Sequence, residues 1–225
     1  DIDDGRVDGL DYERVEAINP AIVYVTAVGY GSGGPEAGQP VYDDLTQAAC
    51  GISGLFRAID GAPRYAPINV CDRVVGLYLT IAVTAALHHR LRTGEGQAIE
   101  VPMFETMAQF VLGDHMGGGA FSPAIGPMGY GRLMSRSRGP YPTADGHIAV
   151  VVYTDAHWRA FCRLLGIADL VATDERFASQ QARTQNAEHV GQFLATVLCE
   201  RTTADWIPAL RSIDIPCCRV NSIED

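Results

Sequence analysis

The chain has 225 residues, 47% of them hydrophobic and 20% charged, with a formal net charge of −10. That apolar fraction supports a packed core and excludes a disordered chain, and the length suits one large domain or two small ones. The 17 basic residues are all Arg, and the acidic balance argues against a general nucleic-acid binder, which needs a basic patch.

Asp11 to Ala17 reads as a short polar helix stopped by Asn19-Pro20. Ala21 to Val28 is continuous, β-branched and apolar, which predicts a strand buried on both faces in a parallel sheet. Gly29 to Pro40 is a loop by composition. Asp43 to Leu55 has helical spacing but is broken at Gly51 and Gly54.

The strongest element follows Asp72. Val74 to Leu87 is apolar almost all round, which predicts a buried helix. His88, His89, Arg90 and Arg92 crowd its last turn and Gly94 lies beyond it, the expected punctuation of a helix end. The run is too short for a transmembrane span. Gln97 to Pro102 alternates like a strand and Met103 to Leu112 is helical, so the first part of the chain reads as βαβ units.

Gly113 to Gly139 is rich in Gly, Ser, Pro and Met without periodicity, either a functional loop or a linker between domains. Beyond it, His147 to Tyr153 is a strand, Thr154 to Leu165 a helix capped by Thr154 or Asp155, and Gln185 to Leu198 a helix. Thr202 and Asp205 resemble a capping box, and Cys217 to Val220 is a short strand. The six cysteines lack C-x-x-C or zinc-site spacing and read as reduced, mostly buried thiols of a cytoplasmic protein. The chain opens without Met and closes just after an apolar run, which reads as an internal stretch of a longer protein or one lacking its flanks.

Few local patterns carry chemistry. The glycines of Gly29 to Gly34 follow a strand, but Pro35, Gly38 and Pro40 replace the helix that a dinucleotide fingerprint opens, and no G-K-[ST] marks a P-loop. His88 and His89 are adjacent and point about 100° apart on a helix, so they cannot share a metal. Asp72 has two readings. As an N-cap, its carboxylate would accept backbone N–H bonds. Beside a cleft, the same carboxylate at a helix N-terminus would be a positioned nucleophile or base, favoured as an anion by the helix dipole.

INPAIVYVTAVGYGSGGP, YDDLTQAACGISGL, Asp72-x-x-x-Gly76 and the block Ala86 to Gln97 follow one another in an order that resembles the CaiB/BaiF family, the class III CoA-transferases. PYPTADGHIAVVVYTDAHWRAFCRLLG, DERFASQQARTQN and IPCCRVNSIED extend the likeness over nearly the whole chain. The resemblance implies an α/β fold: part of a Rossmann-like large domain with a parallel sheet (residues 1–115), a Gly-rich linker or loop (116–138) and a smaller α/β domain (139–225). It also implies an interlocked homodimer. The implied activity moves CoA between an acyl-CoA thioester and a carboxylic acid, with CoA as substrate and no resident cofactor or metal, and no nucleic-acid or membrane partner. The family's aspartyl nucleophile falls on Asp72, and Tyr30, Tyr42, Gly129 and Gly131 fall at substrate-binding positions. Gly126 to Gly131 lies where some members carry a mobile loop that excludes water. The family's racemase branch pairs a His with an Asp, and its His position falls on Tyr42. A tyrosine phenol, with a reference pKa of about 10, is a poor base for α-proton abstraction near neutrality, which favours transferase over racemase. An inactive paralogue serving as a dimerisation scaffold is the remaining alternative.

Overall fold

The structure, a computed structural model, describes residues 10–225; the first nine residues of the expected first domain lie outside the described residues. Two compact units divide the chain, one ending at Met128 and one running Gly129–Asp225.

The first unit opens with α1 (Tyr12–Ile18), whose N-cap Asp11 accepts from the Arg14 amide, and β1 (Val23–Val28). α2 (Asp43–Ala49) and α3 (Ile52–Asp60) are parted at Gly51, as expected, whereas Gly54, the other expected break, lies inside α3. α4 (Val70–Thr93), β2 (Gln97–Pro102) and α5 (Met103–His115) complete it. β1 and β2 pair in parallel, Val23 opposite Gln97 through Val28 opposite Pro102, with α4 as the crossover between them. Cys50, Cys71, Val75, Val101 and Met107 form the buried core of this unit.

The Ala86–Gln97 block now has a physical account. Gly94 ends α4 in the left-handed region (φ 80°), where an L side chain is strained. A Cβ on Gly96 would lie 2.2 Å from the Ile22 carbonyl oxygen, so glycine lets the chain pass close beside the entry to β1. The Gln97 amide then bonds the Ile22 carbonyl at 2.9 Å and Arg90 reaches the Ala21 carbonyl at 3.4 Å. The motif is the joint that sets the register of the two strands.

Three expectations need correction. α4 begins at Val70, two residues before Asp72, and its N-cap is Asn69. It is not buried on most sides: only Cys71, Val75 and Ala86 are, while Leu77, Ile81 and Leu91 are exposed. Its 24 residues make it the one helix among the described residues long and apolar enough, by length and composition, to cross a bilayer, although it is built into the core through Cys71 and Val75. β1 likewise has no fully buried residue. An apolar pattern reports what a segment can bury, whereas the described residues supply only one pairing strand for β1 and cover one side of α4.

Residues 116–138 are not one element. A 3-10 turn at Gly117–Ala120 is followed by a loop folded back on itself, with the Gly118 amide bonded to the Pro127 carbonyl and the Ile125 amide to the Gly118 carbonyl. The second unit starts at Gly129, and α6 (Gly131–Met134) follows.

In the second unit β3 (Tyr141–Thr143), β4 (Gly146–Val150) and a C-terminal strand form an antiparallel sheet in the order 3-4-5. α7 (Asp155–Leu164) is capped by the Thr154 hydroxyl, which accepts from the His157 amide. α8 (Leu170–Thr173), α9 (Gln180–Gln185) and α10 (Ala187–Leu198) follow; the helix predicted over Gln185–Leu198 is α10, which starts two residues later, and α9 precedes it. Thr202 caps α11 (Thr203–Arg211), and β5 (Cys217–Arg219) closes the sheet. Trp158, Phe161, Phe177, Leu198, Trp206 and Leu210 fill a core richer in aromatics than that of the first unit. The buried Trp206 indole donates to the Leu198 carbonyl at 2.8 Å, so this large ring is buried without an unpaired N–H. All six cysteines are free.

Candidate active site

The N-terminus of α4 gathers the groups of chemical interest in the first unit. A helix start leaves backbone N–H groups without intrahelical partners, and here every one has an identified acceptor. The Val70 amide donates to the Ile68 carbonyl at 2.8 Å. The Cys71 and Asp72 amides both donate to Asp43 Oδ2, at 2.8 and 3.0 Å. The Arg73 amide starts the intrahelical ladder on the Asn69 carbonyl. The capping anion is therefore Asp43, 29 residues upstream of Asp72, and not Asp72 itself.

Asp43 is buried in the first turn of α2. Its Oδ1 accepts from Gln47 Nε2 at 2.5 Å, one helical turn on. Gln47, also buried, accepts from the Ala66 amide at 2.8 Å through Oε1. One carboxylate and one amide thus tie α2 to the segment that feeds α4. Sequence reasoning missed both residues. Their one local signal was the i, i+4 spacing of Asp43 and Gln47, which reads as an ordinary surface pair.

With the helix N–H groups satisfied from elsewhere, the Asp72 carboxylate has no hydrogen-bond or ion-pair partner among the described residues. It is exposed in the first turn of α4. The neighbouring Cys71 thiol points the other way. It is fully buried, and burial chiefly, with the nearby Asp43 carboxylate, pushes it up to about 12. It is no nucleophile at neutral pH.

Tyr42 is the N-cap residue of α2, 64% exposed, with no side-chain cap bond. It directly precedes Asp43 and so stands at the same corner as Asp72. Tyr30 lies on the loop after β1, its ring 5.6 Å from Phe104 in the first turn of α5. The amides of Gly31 and Ser32 in that loop donate to Glu105 and Glu100 at 2.9 and 2.8 Å. A phosphate cradle needs such amides free, so their use by two carboxylates supports the rejection of a dinucleotide loop. Gly129 and Gly131 belong to the second unit, Gly129 in the left-handed region and Gly131 at the start of α6. No group of three or more His, Cys, Asp and Glu able to hold a metal ion occurs among the described residues.

Comparison with known proteins places this geometry in a family. The profile described as CoA-transferase family III matches residues 6–225. The chain is 32% identical to the succinate–glutarate CoA-transferase of Agrobacterium fabrum over 96% of its own length and 54% of that protein. It is 28% identical to the acetyl-CoA:oxalate CoA-transferase of Acetobacter aceti over 92% of its length and 54% of that protein. A crystal structure of a CAIB/BAIF family protein from Brucella suis superposes with a TM-score of 0.70 at 32% identity, covering 96% of this chain and 57% of that one. That of Rv3272 from Mycobacterium tuberculosis superposes with a TM-score of 0.77 at 27% identity, with the same coverage. The chain spans about half the length of the curated relatives it matches. By its sequence profile and its mixed α/β fold with a parallel strand pair, the chain belongs to CoA-transferase family III, the CaiB/BaiF family.

Proposed function

We propose that this chain carries the acyl-accepting carboxylate of a CoA-transferase, Asp72, and serves the transfer of CoA from an acyl-CoA thioester to a carboxylic acid. The observation that carries the reading is the free, exposed Asp72 carboxylate beside a helix N-terminus whose N–H groups are taken by Asp43. A carboxylate engaged as a cap would have to give up those bonds before it could attack.

The exchange balances without water, oxidant or metal. An Asp72 oxygen attacks the thioester carbonyl and CoA thiolate leaves, giving a mixed anhydride. The thiolate then attacks the aspartyl carbonyl and releases the donor acid, leaving an aspartyl-CoA thioester. The acceptor carboxylate attacks that carbonyl and expels the thiolate, which finally attacks the acceptor's carbonyl, forming the new acyl-CoA and restoring Asp72. Each step trades one activated acyl bond for another, the use covalent catalysis makes of a nucleophile. Water would hydrolyse each intermediate, so the site must be covered in the working enzyme. The substrates named for the Agrobacterium relative make dicarboxylic acids the first donors and acceptors to test. The reading includes a cytoplasmic homodimer. Epimerisation is disfavoured because Tyr42 stands where the racemase branch carries its His.

The test is to incubate the full-length protein with succinyl-CoA and trap with borohydride or hydroxylamine. Modification should map to Asp72, and Asp72→Ala should lose at least about a thousandfold in transfer to glutarate. An Asp72→Ala protein with undiminished transfer refutes the assignment. Exchange of the α-proton with D₂O in the absence of any acceptor acid would replace it with the racemase reading.

A further inference from the structure

The second unit contains a recess of about 270 Å³. One wall is the segment from Arg132 to Tyr141; the opposite walls are the end of β4 and the facing sides of α9 and α10. The wall is held by specific bonds. Glu188 on α10 accepts from the Ser137 hydroxyl at 2.6 Å and from the Ser135 hydroxyl at 2.9 Å. Gly191 lets the segment lie against α10: a Cβ there would be 2.3 Å from the Ser137 carbonyl oxygen.

The lining is divided. Val150, Val152, Trp158 and Leu194 make an apolar floor. Arg183, 5% exposed, is committed to the structure: it donates to the Phe177 carbonyl at 2.7 Å, pairs with Asp155 and lies 5.5 Å from the Trp158 ring centre. Arg132 and Arg138 are different. Neither meets a carboxylate at ion-pair distance among the described residues. Arg132 lies 5.2 Å from the Tyr153 ring centre. Both arginines stand on the wall of the recess that Tyr141 ends. Two cations without an ion-pair partner among the described residues thus line one wall of a largely apolar recess, in a chain of net charge −10. A mostly apolar recess with a few convergent polar groups is the usual form of a small-molecule site.

We propose that this recess is a small-molecule site separate from Asp72, taking a carboxylic acid with a short apolar body. Arg132 and Arg138 hold the carboxylate, the acid for which a guanidinium fork is matched, and Val150, Val152, Trp158 and Leu194 cover the body. The volume corresponds to about nine waters, room for an acid of roughly four to eight carbons. The proposal goes beyond the acyl transfer at Asp72 and does not depend on it.

The probe is hexanoate, titrated into the full-length protein at low ionic strength by calorimetry and by fluorescence of Trp158 in the recess floor. Saturable binding in the millimolar range or tighter is expected, with one site per chain. Arg132→Gln combined with Arg138→Gln should weaken it at least about tenfold, and Thr184→Trp, which fills the recess, should abolish it. Asp72→Ala should leave it unchanged, which separates this site from the transfer reaction. The double arginine variant carries the test should the filled variant not fold. Hexanoate that fails to saturate overturns the proposal, as does binding that survives the double substitution or is lost with Asp72→Ala. Inorganic phosphate binding as well as hexanoate overturns the role of the apolar floor.

Discussion

Asp43→Ala tests how the corner that holds Asp72, the proposed nucleophile, is built. The substitution removes the acceptor of three bonds: the Cys71 amide at 2.8 Å, the Asp72 amide at 3.0 Å and Gln47 Nε2 at 2.5 Å. Loss of a helix N-cap costs about 1–2 kcal/mol. The Cys71 amide and Gln47 side chain are buried, and leaving such donors unpaired adds about 1–3 kcal/mol. The expected loss is about 2–5 kcal/mol, a melting shift of the order of 10 °C. Asp43→Asn keeps one carbonyl acceptor and should lose less. The distribution of tryptophan provides the assay. Both Trp residues, Trp158 and Trp206, lie in the second unit, so their fluorescence reports that unit alone, while far-ultraviolet circular dichroism reports both. Urea unfolding of Asp43→Ala should show an earlier dichroism transition and an unmoved fluorescence transition. Transfer activity should fall with the first, since Asp72 stands on the turn that Asp43 caps. A loss under about 1 kcal/mol would refute the account of Asp43 as the cap of α4.

Gly191→Ala should shift the fluorescence transition of the second unit by about 1–3 kcal/mol, because its Cβ meets the Ser137 backbone, which has to retreat. The Ser137 and Ser135 hydroxyls chiefly hold the Glu188 carboxyl down at about 2. A depressed carboxyl stabilises the fold above its unfolded value of about 4.3, so that contribution disappears as pH falls toward about 2. Glu188→Gln should flatten this acid limb in pH-dependent unfolding and leave stability at pH 7 to 8 parallel to that of the parent. Iodoacetamide at pH 8 should label the exposed Cys199 and Cys218 in the native protein and reach the buried Cys50, Cys71 and Cys162 only after unfolding, read by peptide mass spectrometry. Prompt native labelling of Cys71 would contradict its burial and its raised thiol.

What was legible in the sequence was local or carried by family likeness. β2 is read to the residue because Gln97–Pro102 alternates between a glycine joint and a new helix. Gly94 as the end of α4 follows from the chemistry of a single residue, and the cap of α7 was narrowed to Thr154 or Asp155, of which the structure uses Thr154. The start of α4 was not legible, because its capping carboxylate belongs to another helix. No pattern within Asn69–Arg73 shows that Asp72 is relieved of that duty; only the fold brings Asp43 there. The exposure of β1 and α4 was misread for the opposite reason. Their apolar patterns are correct statements of capacity, but burial requires a covering layer, and a pattern does not contain its partner. The recess of the second unit left no signal at all: its two arginines and its apolar floor come from separate elements spread between Arg132 and Leu194.

The placement of two aspartates at one helix start is a division of labour that a single aspartate could not achieve. A helix N-terminus favours an anion nearby through its dipole, which suits a carboxylate in the role proposed for Asp72. The same N–H groups, if unsatisfied, would draw that carboxylate into a cap, where its oxygens are spent on hydrogen bonds and its approach to a carbonyl is blocked. Asp43 resolves the conflict. Held buried by Gln47, it takes the Cys71 and Asp72 amides, so the side chain of Asp72 keeps its proximity to the helix start without being consumed by it. Exchanging the roles would undo this. In an Asp43→Ala protein Asp72, itself in the first turn of α4, is expected to turn toward the orphaned amides, so that variant should lose acyl transfer by sequestering the proposed nucleophile as well as by loosening the helix. An Asp43→Glu protein separates the two effects: the longer side chain can still cap from α2, and it should recover transfer in proportion to its recovery of the early dichroism transition. Recovery of stability without transfer would show that the position of Asp72, and not its freedom from capping, was what Asp43 supplied.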